Sequence, residues 1–237
     1  MTKQTRGGGK PLSTYEPRAF PGTDTLEGRF TIVEPITDET RFGELWEAFS
    51  KDREGAIWRW LFNGPFETRD AFEASARDLY LREGHRFYAV ISKASGKAVG
   101  VLALFRADLK NGVIEIGHVC FGPDLQRTRA STEAFYLTMK LVLETLGYRR
   151  LEWKCNDLNL PSKRAAERLG FSYEGLFRQH MIAKGENRDT AWYSVLDHEW
   201  PRLDAAFGVW LAEENFERDG TQRKALGTLT HSETGSL

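Results

Sequence analysis

The chain has 237 residues, of which 41% are hydrophobic and 28% charged, and its formal net charge is −1. That balance fits one large globular domain, or one domain with extensions, and it excludes a global electrostatic drive toward nucleic acid or an anionic membrane. Two cysteines, Cys120 and Cys155, make neither a disulfide framework nor a metal-ligand spacing, and such sparse use suits a reducing compartment.

Residues 1–26, rich in Gly, Pro and Thr, predict a flexible arm laid over the surface. The arm is basic but lacks the apolar middle of a signal peptide, and no apolar run is long enough to span a membrane, so the expected location is cytoplasmic. GRFTIVEPI predicts a strand, and TDETRFGELWEAFS a helix capped at Thr37 or Asp38. An aromatic, loop-broken stretch, IWRWLFNGPF, leads to the amphipathic helix ETRDAFEASARDLYLREG. RFYAVISK, AVGVLALFRAD and VIEIGHVCF are three strands joined by short turns, so antiparallel neighbours are expected. A long helix through FYLTMKLVLETLGY, a strand RRLEWKC and a short helix SKRAAERLG follow. FSYEGLFRQHMI and DTAWYSVLD form a last hairpin around a GEN turn, and the final helical run, HEWPRLDAAFGVWLAEENFER, has proline in its first turn. Residues 219–237 are polar and small and predict a frayed tail. The fold class is therefore mixed α/β (α+β), with a largely antiparallel sheet in a single domain over 27–218.

Three pieces, EIGHVCFGPDLQRTRASTEA, KCNDLNLPSKRAAERLGF and GLFRQHMIAKGENRDTAWYSVLD, resemble the GNAT acetyltransferase superfamily, and within it the branch of ribosomal-protein N-terminal acetyltransferases. The resemblance runs over residues 28–198. It implies a twisted sheet flanked by helices, with a splayed strand pair at the cofactor site. It also implies acetyl-CoA as cofactor and direct transfer of an acetyl group to a primary amine of a small molecule or of a peptide or protein N-terminus.

In that family a Gln/Arg-x-x-Gly-x-Gly/Ala loop opens the central helix and binds the pyrophosphate of coenzyme A through backbone N–H groups at the positive end of the helix dipole. Gln126 matches the first position, while Arg129 stands where glycine is usual and Ser131 takes the other small position. The loop contacts implied are Gln126, Arg127, Thr128, Arg129, Ala130, Ser131 and Thr132. A non-glycine residue at 129 either blocks close approach or adopts a less demanding backbone conformation. The strand residues Val119, Cys120 and Phe121 would offer a ladder to the pantetheine amides. Asn156, Asn159 and Arg164 complete the implied cofactor contacts. Ser162 is the implied proton donor to the leaving thiolate, because Ala166 occupies the position one turn later where many acetyltransferases carry a tyrosine. The same residues also read as an ordinary helix start, with Asn159 as N-cap and Pro161 in the first turn.

An amine nucleophile must shed a proton, and Glu115 is the implied base. Three residues apart on a strand, Glu115 and His118 are expected on opposite faces, so only one should meet the cleft. His118, Arg178, His180 and Trp192, with Arg188 and Asp189 beside them, are candidate acceptor contacts, and Trp58 and Trp60 would cover the acceptor from the other side. A free cysteine is usually a small buried hydrophobe, so a covalent acetyl-cysteine is the weaker route. No metal, nucleic-acid or membrane partner is expected, and a homodimer stays open. The alternative reading, carried by Arg129, is a module of the same fold that binds acyl-CoA or another protein without turnover.

Overall fold

The computed structural model describes residues 12–231. Residues 16–25 form no helix or strand. The Arg18 N–H donates to Leu109 O (2.9 Å), Tyr148 Oη donates to Ala19 O (2.9 Å), and Arg86 Nε donates to Pro21 O (3.2 Å). The described part of the predicted arm is thus pinned to the body at three points, and residues 1–11 of that arm lie outside the described residues.

A short strand β1 (Leu26–Glu27) pairs with β2 (Thr31–Pro35). Helix α1 (Phe42–Phe49) begins later than the predicted caps. Asp38 Oδ1 accepts from Thr40 N (2.8 Å) in a local turn, so Arg41, tied to Glu34 and Glu44, becomes the residue before the helix. Helix α2 (Arg69–Tyr80) starts on Thr68, whose hydroxyl accepts from Ala71 N (3.2 Å). Strands β3 (His85–Ser92), β4 (Lys97–Asp108) and β5 (Val113–Phe121) form the expected antiparallel meander.

The central helix α3 (Arg129–Lys140) ends in a π-turn over Leu141–Thr145 and feeds β6 (Arg150–Asn156). Helix α4 (Leu160–Arg168), the hairpin β7 (Ser172–Ala183) and β8 (Glu186–Leu196), and helix α5 (Trp200–Leu211) complete the predicted series. The polar tail departs from expectation. Residues 226–231 form helix α6 (Leu226–His231), which packs on α4 and α5 with Leu226 fully buried and Thr230 Oγ1 donating to Arg168 O (3.2 Å). Low apolar content hid a segment whose few hydrophobic groups are all used, and residues 232–237 of the predicted tail lie outside the described residues.

The eight strands form one sheet in the order β1-β2-β3-β4-β5-β6-β8-β7. All pairs are antiparallel except β5 with β6, which run parallel and pair only over Val113–Glu115 and Arg150–Glu152. Beyond Glu115 and Glu152 the two strands separate, and their unpaired ends open a cleft in the middle of the sheet. Glu133, buried in the first turns of α3, fastens the helix across the sheet. Its carboxylate accepts from the backbone N–H groups of Arg29, Phe30 and Thr31 at 2.8, 2.7 and 2.9 Å. Gly28 is needed beside it, since a Cβ there would stand 2.3 Å from the Glu133 carboxyl carbon.

Candidate active site

The cleft begins where β5 ends. The Gly122 N–H donates to Val99 O on β4, so by the alternation of an extended strand the peptide groups of Phe121 and Val119 face the opposite, open side. Gln126 turns back and its Nε2 donates to Phe121 O (2.8 Å), closing the strand end at the edge of the groove it lines. Cys120 offers only its backbone, because its side chain is buried toward the core and burial pushes its thiol well up.

The loop resolves the question raised by Arg129. The left-handed residue is Arg127 (φ 60°), while Arg129 is the first helical residue of α3 and needs no glycine. Thr128 is the N-cap, its hydroxyl accepting from Ser131 N (3.1 Å) while Ser131 Oγ donates to Thr128 O (2.8 Å). The N–H groups of Arg129 and Ala130, at the first two helical positions, have no acceptor within the helix. The Arg129 guanidinium lies 3.9 Å over the Phe216 ring and 5.3 Å from that of Phe30.

This helix start opens onto a groove of about 1110 Å³. Its charged lining is four arginines, Arg127, Arg129, Arg164 and Arg168, against the single carboxylate of Asp52, which already accepts from Ile57 N. A capped helix N-terminus among four guanidinium groups fits a ligand with several phosphates. Arg168, which sequence reasoning passed over, donates to Thr132 Oγ1 (3.2 Å) and covers Trp210, and burial lowers its pKa.

A second cavity, about 550 Å³, lies on the other side of the splayed strands. Val119, Trp153, Asn159 and Ser162 line both spaces, so groove and cavity meet at the N-terminus of α4. Asn159 caps that helix, its Oδ1 accepting from Ser162 N (3.1 Å). Trp153 Nε1 donates to Ser162 Oγ (3.0 Å), which engages a hydroxyl lone pair and leaves the hydroxyl proton to be directed elsewhere. Ala166, one turn on, is fully buried, and no side chain there reaches the junction.

Glu115 and His118 both line the cavity, against the strand-alternation expectation. The reason is a bulge: β4 pairs Val101 with Cys120 and Ala103 with Gly117, so His118 and Val119 together face Leu102. His118 takes φ 47°, and the extra residue brings it to the same side as Glu115. Glu115, 3% exposed, pairs with Lys154 Nζ (3.0 Å) and Arg106 Nη1 (3.0 Å), and Lys154 pairs in turn with Glu152 (2.8 Å). His118 packs edge-on against Phe87 and Tyr80, and its Nε2 has no hydrogen-bond partner among the described residues. Burial, with a smaller push from His85, pulls its pKa down to about 4, so the imidazole is neutral at pH 7.

Of the other expected acceptor contacts, Trp60 lines the cavity, whereas Trp58 is 4% exposed within a cluster with Phe49, Phe66 and Phe72. A second bulge explains the hairpin. With Gln179 at φ 50°, β7 breaks register between Phe177 and Met181, which brings Met181 into the cavity. Arg178, His180 and Trp192 do not line it. His180 Nδ1 contacts Thr190 Oγ1 (3.0 Å), and Trp192 lies under Lys154 Nζ at 3.9 Å. Asn156 lines the smaller cavity rather than the groove, and its Oδ1 accepts from Leu158 N. Cys155 also lines it, with burial as the main cause of a raised thiol pKa, which disfavours a thiolate nucleophile. Trp153, Lys154 and Arg106 carry much of this geometry, yet a tryptophan and a lysine on a strand give no sequence signal beyond core and surface.

The family model described as "Acetyltransferase (GNAT) domain" matches residues 29–172. A crystal structure of a GCN5-related N-acetyltransferase from Brucella melitensis is 47% identical with a TM-score of 0.90, over 92% of this chain and 99% of that one. An uncharacterized N-acetyltransferase p20 from Bacillus licheniformis is 28% identical over 143 residues, 59% of this chain and 77% of that protein. The fold is shared with an acetyltransferase from Salmonella typhimurium described as modifying the N-terminal serine of 50S ribosomal subunit protein L7/L12, at 18% identity and a TM-score of 0.62, over 73% of this chain and 99% of that one. No helix among the described residues is long and apolar enough to cross a membrane.

Proposed function

Because this chain belongs to the GNAT acetyltransferase family and is an acetyl-CoA-dependent N-acetyltransferase, we propose that its acceptor is a primary amine held in the Glu115–His118 cavity and acetylated by direct transfer. The observation that carries this reading is the junction at Ser162, where a cationic groove and a separate polar cavity share six lining residues, Ile57 and Trp60 besides Val119, Trp153, Asn159 and Ser162.

Acetyl-CoA supplies an acyl group activated as a thioester. The α3 N-terminus and the arginines around it hold phosphates, and the open-side peptide group of Val119 and the N–H of Phe121 offer a strand edge to the amide-bearing arm. In the cavity, neutral His118 accepts a hydrogen bond from the amine through Nε2 and orients its lone pair. Glu115, held by Arg106 and Lys154, takes the amine proton directly or through water. As the C–N bond forms and the C–S bond breaks, Ser162 donates its hydroxyl proton toward the departing sulfur, aligned by the Trp153 indole. The groups act in one ternary arrangement, so no covalent acetyl-enzyme is formed.

The test is thiol release from acetyl-CoA with a panel of amines, alongside mass analysis of the products. Growth of an N-acetyl product with first-order dependence on both substrates supports direct transfer. Full turnover by Glu115→Gln across pH removes Glu115 as base, and ping-pong kinetics removes the ternary arrangement.

A further inference from the structure

The acceptor cavity contains a buried cation with no counter-ion among the described residues. Arg188, on β8, is 8% exposed and lines the cavity. Its Nε has no hydrogen-bond partner, and no ion pair reaches its guanidinium among the described residues. Its one resolved contact is with the Phe62 ring, 5.0 Å from the guanidinium carbon. Glu115 is near enough to act on Arg188 electrostatically, but its carboxylate is already taken by Arg106 and Lys154. Burial lowers the Arg188 pKa, yet a guanidinium stays charged at neutral pH.

A buried charge left without a counter-ion is costly unless a ligand supplies one. The whole cavity has the same bias. Its lining carries four cations, Arg82, Arg106, Lys154 and Arg188, against two carboxylates, Asp78 and Glu115, with His118 neutral. A simple alkylammonium would enter against that field, whereas a molecule that brings its own anion would not. A guanidinium suits a planar oxyanion, which it can bind through two parallel N–H donors. Trp60, Leu61, Phe62, Phe87, Phe105 and Met181 give the lining an apolar, largely aromatic portion. Lys184, at the tip of the β7–β8 hairpin, donates to Trp58 O (2.9 Å) and ties that tip to the aromatic segment. About 550 Å³ is room for a small molecule rather than a folded partner.

We propose that Arg188 is a carboxylate anchor and that the acceptor is a small amino carboxylate with an apolar or aromatic body, of the size of a free amino acid. This rests on the reading of the cavity as the amine site. The guanidinium would hold the carboxylate on the β8 wall while the amine faces His118 and the Ser162 junction.

The experiment compares matched pairs in thiol-release assays: L-phenylalanine, L-methionine and L-leucine against their C-terminal amides, with phenethylamine and a tetrapeptide amide as further acceptors. At least one acid is expected to exceed its amide in kcat/KM by about 100-fold, as for a buried charge-assisted contact. Arg188→Gln should collapse that ratio to about one, chiefly through KM, and Arg188→Lys should retain part of it. Melting temperatures of both variants identify any loss of fold, and the acid-to-amide ratio within one variant is insensitive to the fraction folded. Equal use of acids and amides by the wild-type protein, or preference for the tetrapeptide amide, overturns the anchor while leaving acetyl transfer intact. Thiol release with none of these amines, in protein that binds acetyl-CoA, overturns both the anchor and the small-amine reading.

Discussion

The indole Nε1 of Trp153 donates to Ser162 Oγ over 3.0 Å, joining the splayed strand β6 to the first turn of α4. This bond makes a small hydroxyl directional. With a lone pair taken by the indole, the Ser162 proton is available to the junction between groove and cavity. Ser162→Ala is expected to lower kcat about 100-fold with little change in the KM for acetyl-CoA, the range of a positioned proton donor. Trp153→Phe should cost about 10-fold, because the hydroxyl remains but loses its alignment. Steady-state thiol release decides it: equal kcat for wild type and Ser162→Ala removes the donor role.

His118 gives a pH signature in stability. Its folded pKa, about 4, lies below the ordinary value of 6.5, so the unfolded chain binds that proton more tightly. The contribution is complete above about pH 6.5 and is lost as the pH falls toward 4, reaching about 3 kcal/mol. Urea unfolding at pH 7 and pH 4.5 should show a smaller loss for His118→Gln than for wild type. Parallel losses in the two proteins would contradict the buried neutral imidazole.

Arg127 and Arg129 separate strain from charge. Arg127→Gly relieves a left-handed residue and should stabilise the protein by up to about 1 kcal/mol. The same change removes a groove cation, so acetyl-CoA should bind several-fold more weakly and with a shallower salt dependence. Arg129→Gly places glycine in the first helical turn and removes the contact with Phe216, so it should destabilise by about 1 kcal/mol. Calorimetric binding and thermal melts read the two effects separately, and stabilisation by Arg129→Gly would reverse the assignment of backbone strain to Arg127.

Glu133 satisfies three backbone donors with one carboxylate. The amide of Glu133→Gln has a single acceptor oxygen, so at least one buried N–H is left without it, at a cost of about 2 kcal/mol. A fall in melting temperature is the expected result, and an unchanged melt would show that the α3–β2 fastening is dispensable.

Lys154 sits between Glu115 and Glu152, 8% exposed. Lys154→Met leaves the buried Glu115 and the half-buried Glu152 short of a cation and should destabilise by about 3 kcal/mol. Denaturant midpoints measure this directly, and a stability equal to wild type would mean that Arg106 and Arg150 alone neutralise the pair.

Much of the architecture was legible because its causes are local. The strand meander follows from β-rich runs and short turns, and the start of α4 from Asn159, whose side chain reaches only three residues forward. The strand that carries Glu115 and the short helix that carries Ser162 were readable from local pattern. The late start of α1 and the packed α6 were less so, since each depends on partners distant in the chain, Glu34 for Arg41 and Arg168 for Thr230.

The sequence by itself determined the order of elements, the loop that opens the central helix and the family to which the chain belongs, because periodicity and local motifs act over a few residues. Only the tertiary structure decided which side chains share the acceptor cavity. A bulge at His118 cancels strict alternation and puts it beside Glu115, and a second near Gln179 brings Met181 inward while Arg178 and His180 stay outside. The unpaired state of Arg188 was decided at the same level. Whether a buried charge finds a partner depends on how β5, β6 and β8 converge, and Arg106 and Lys154 reached Glu115 first.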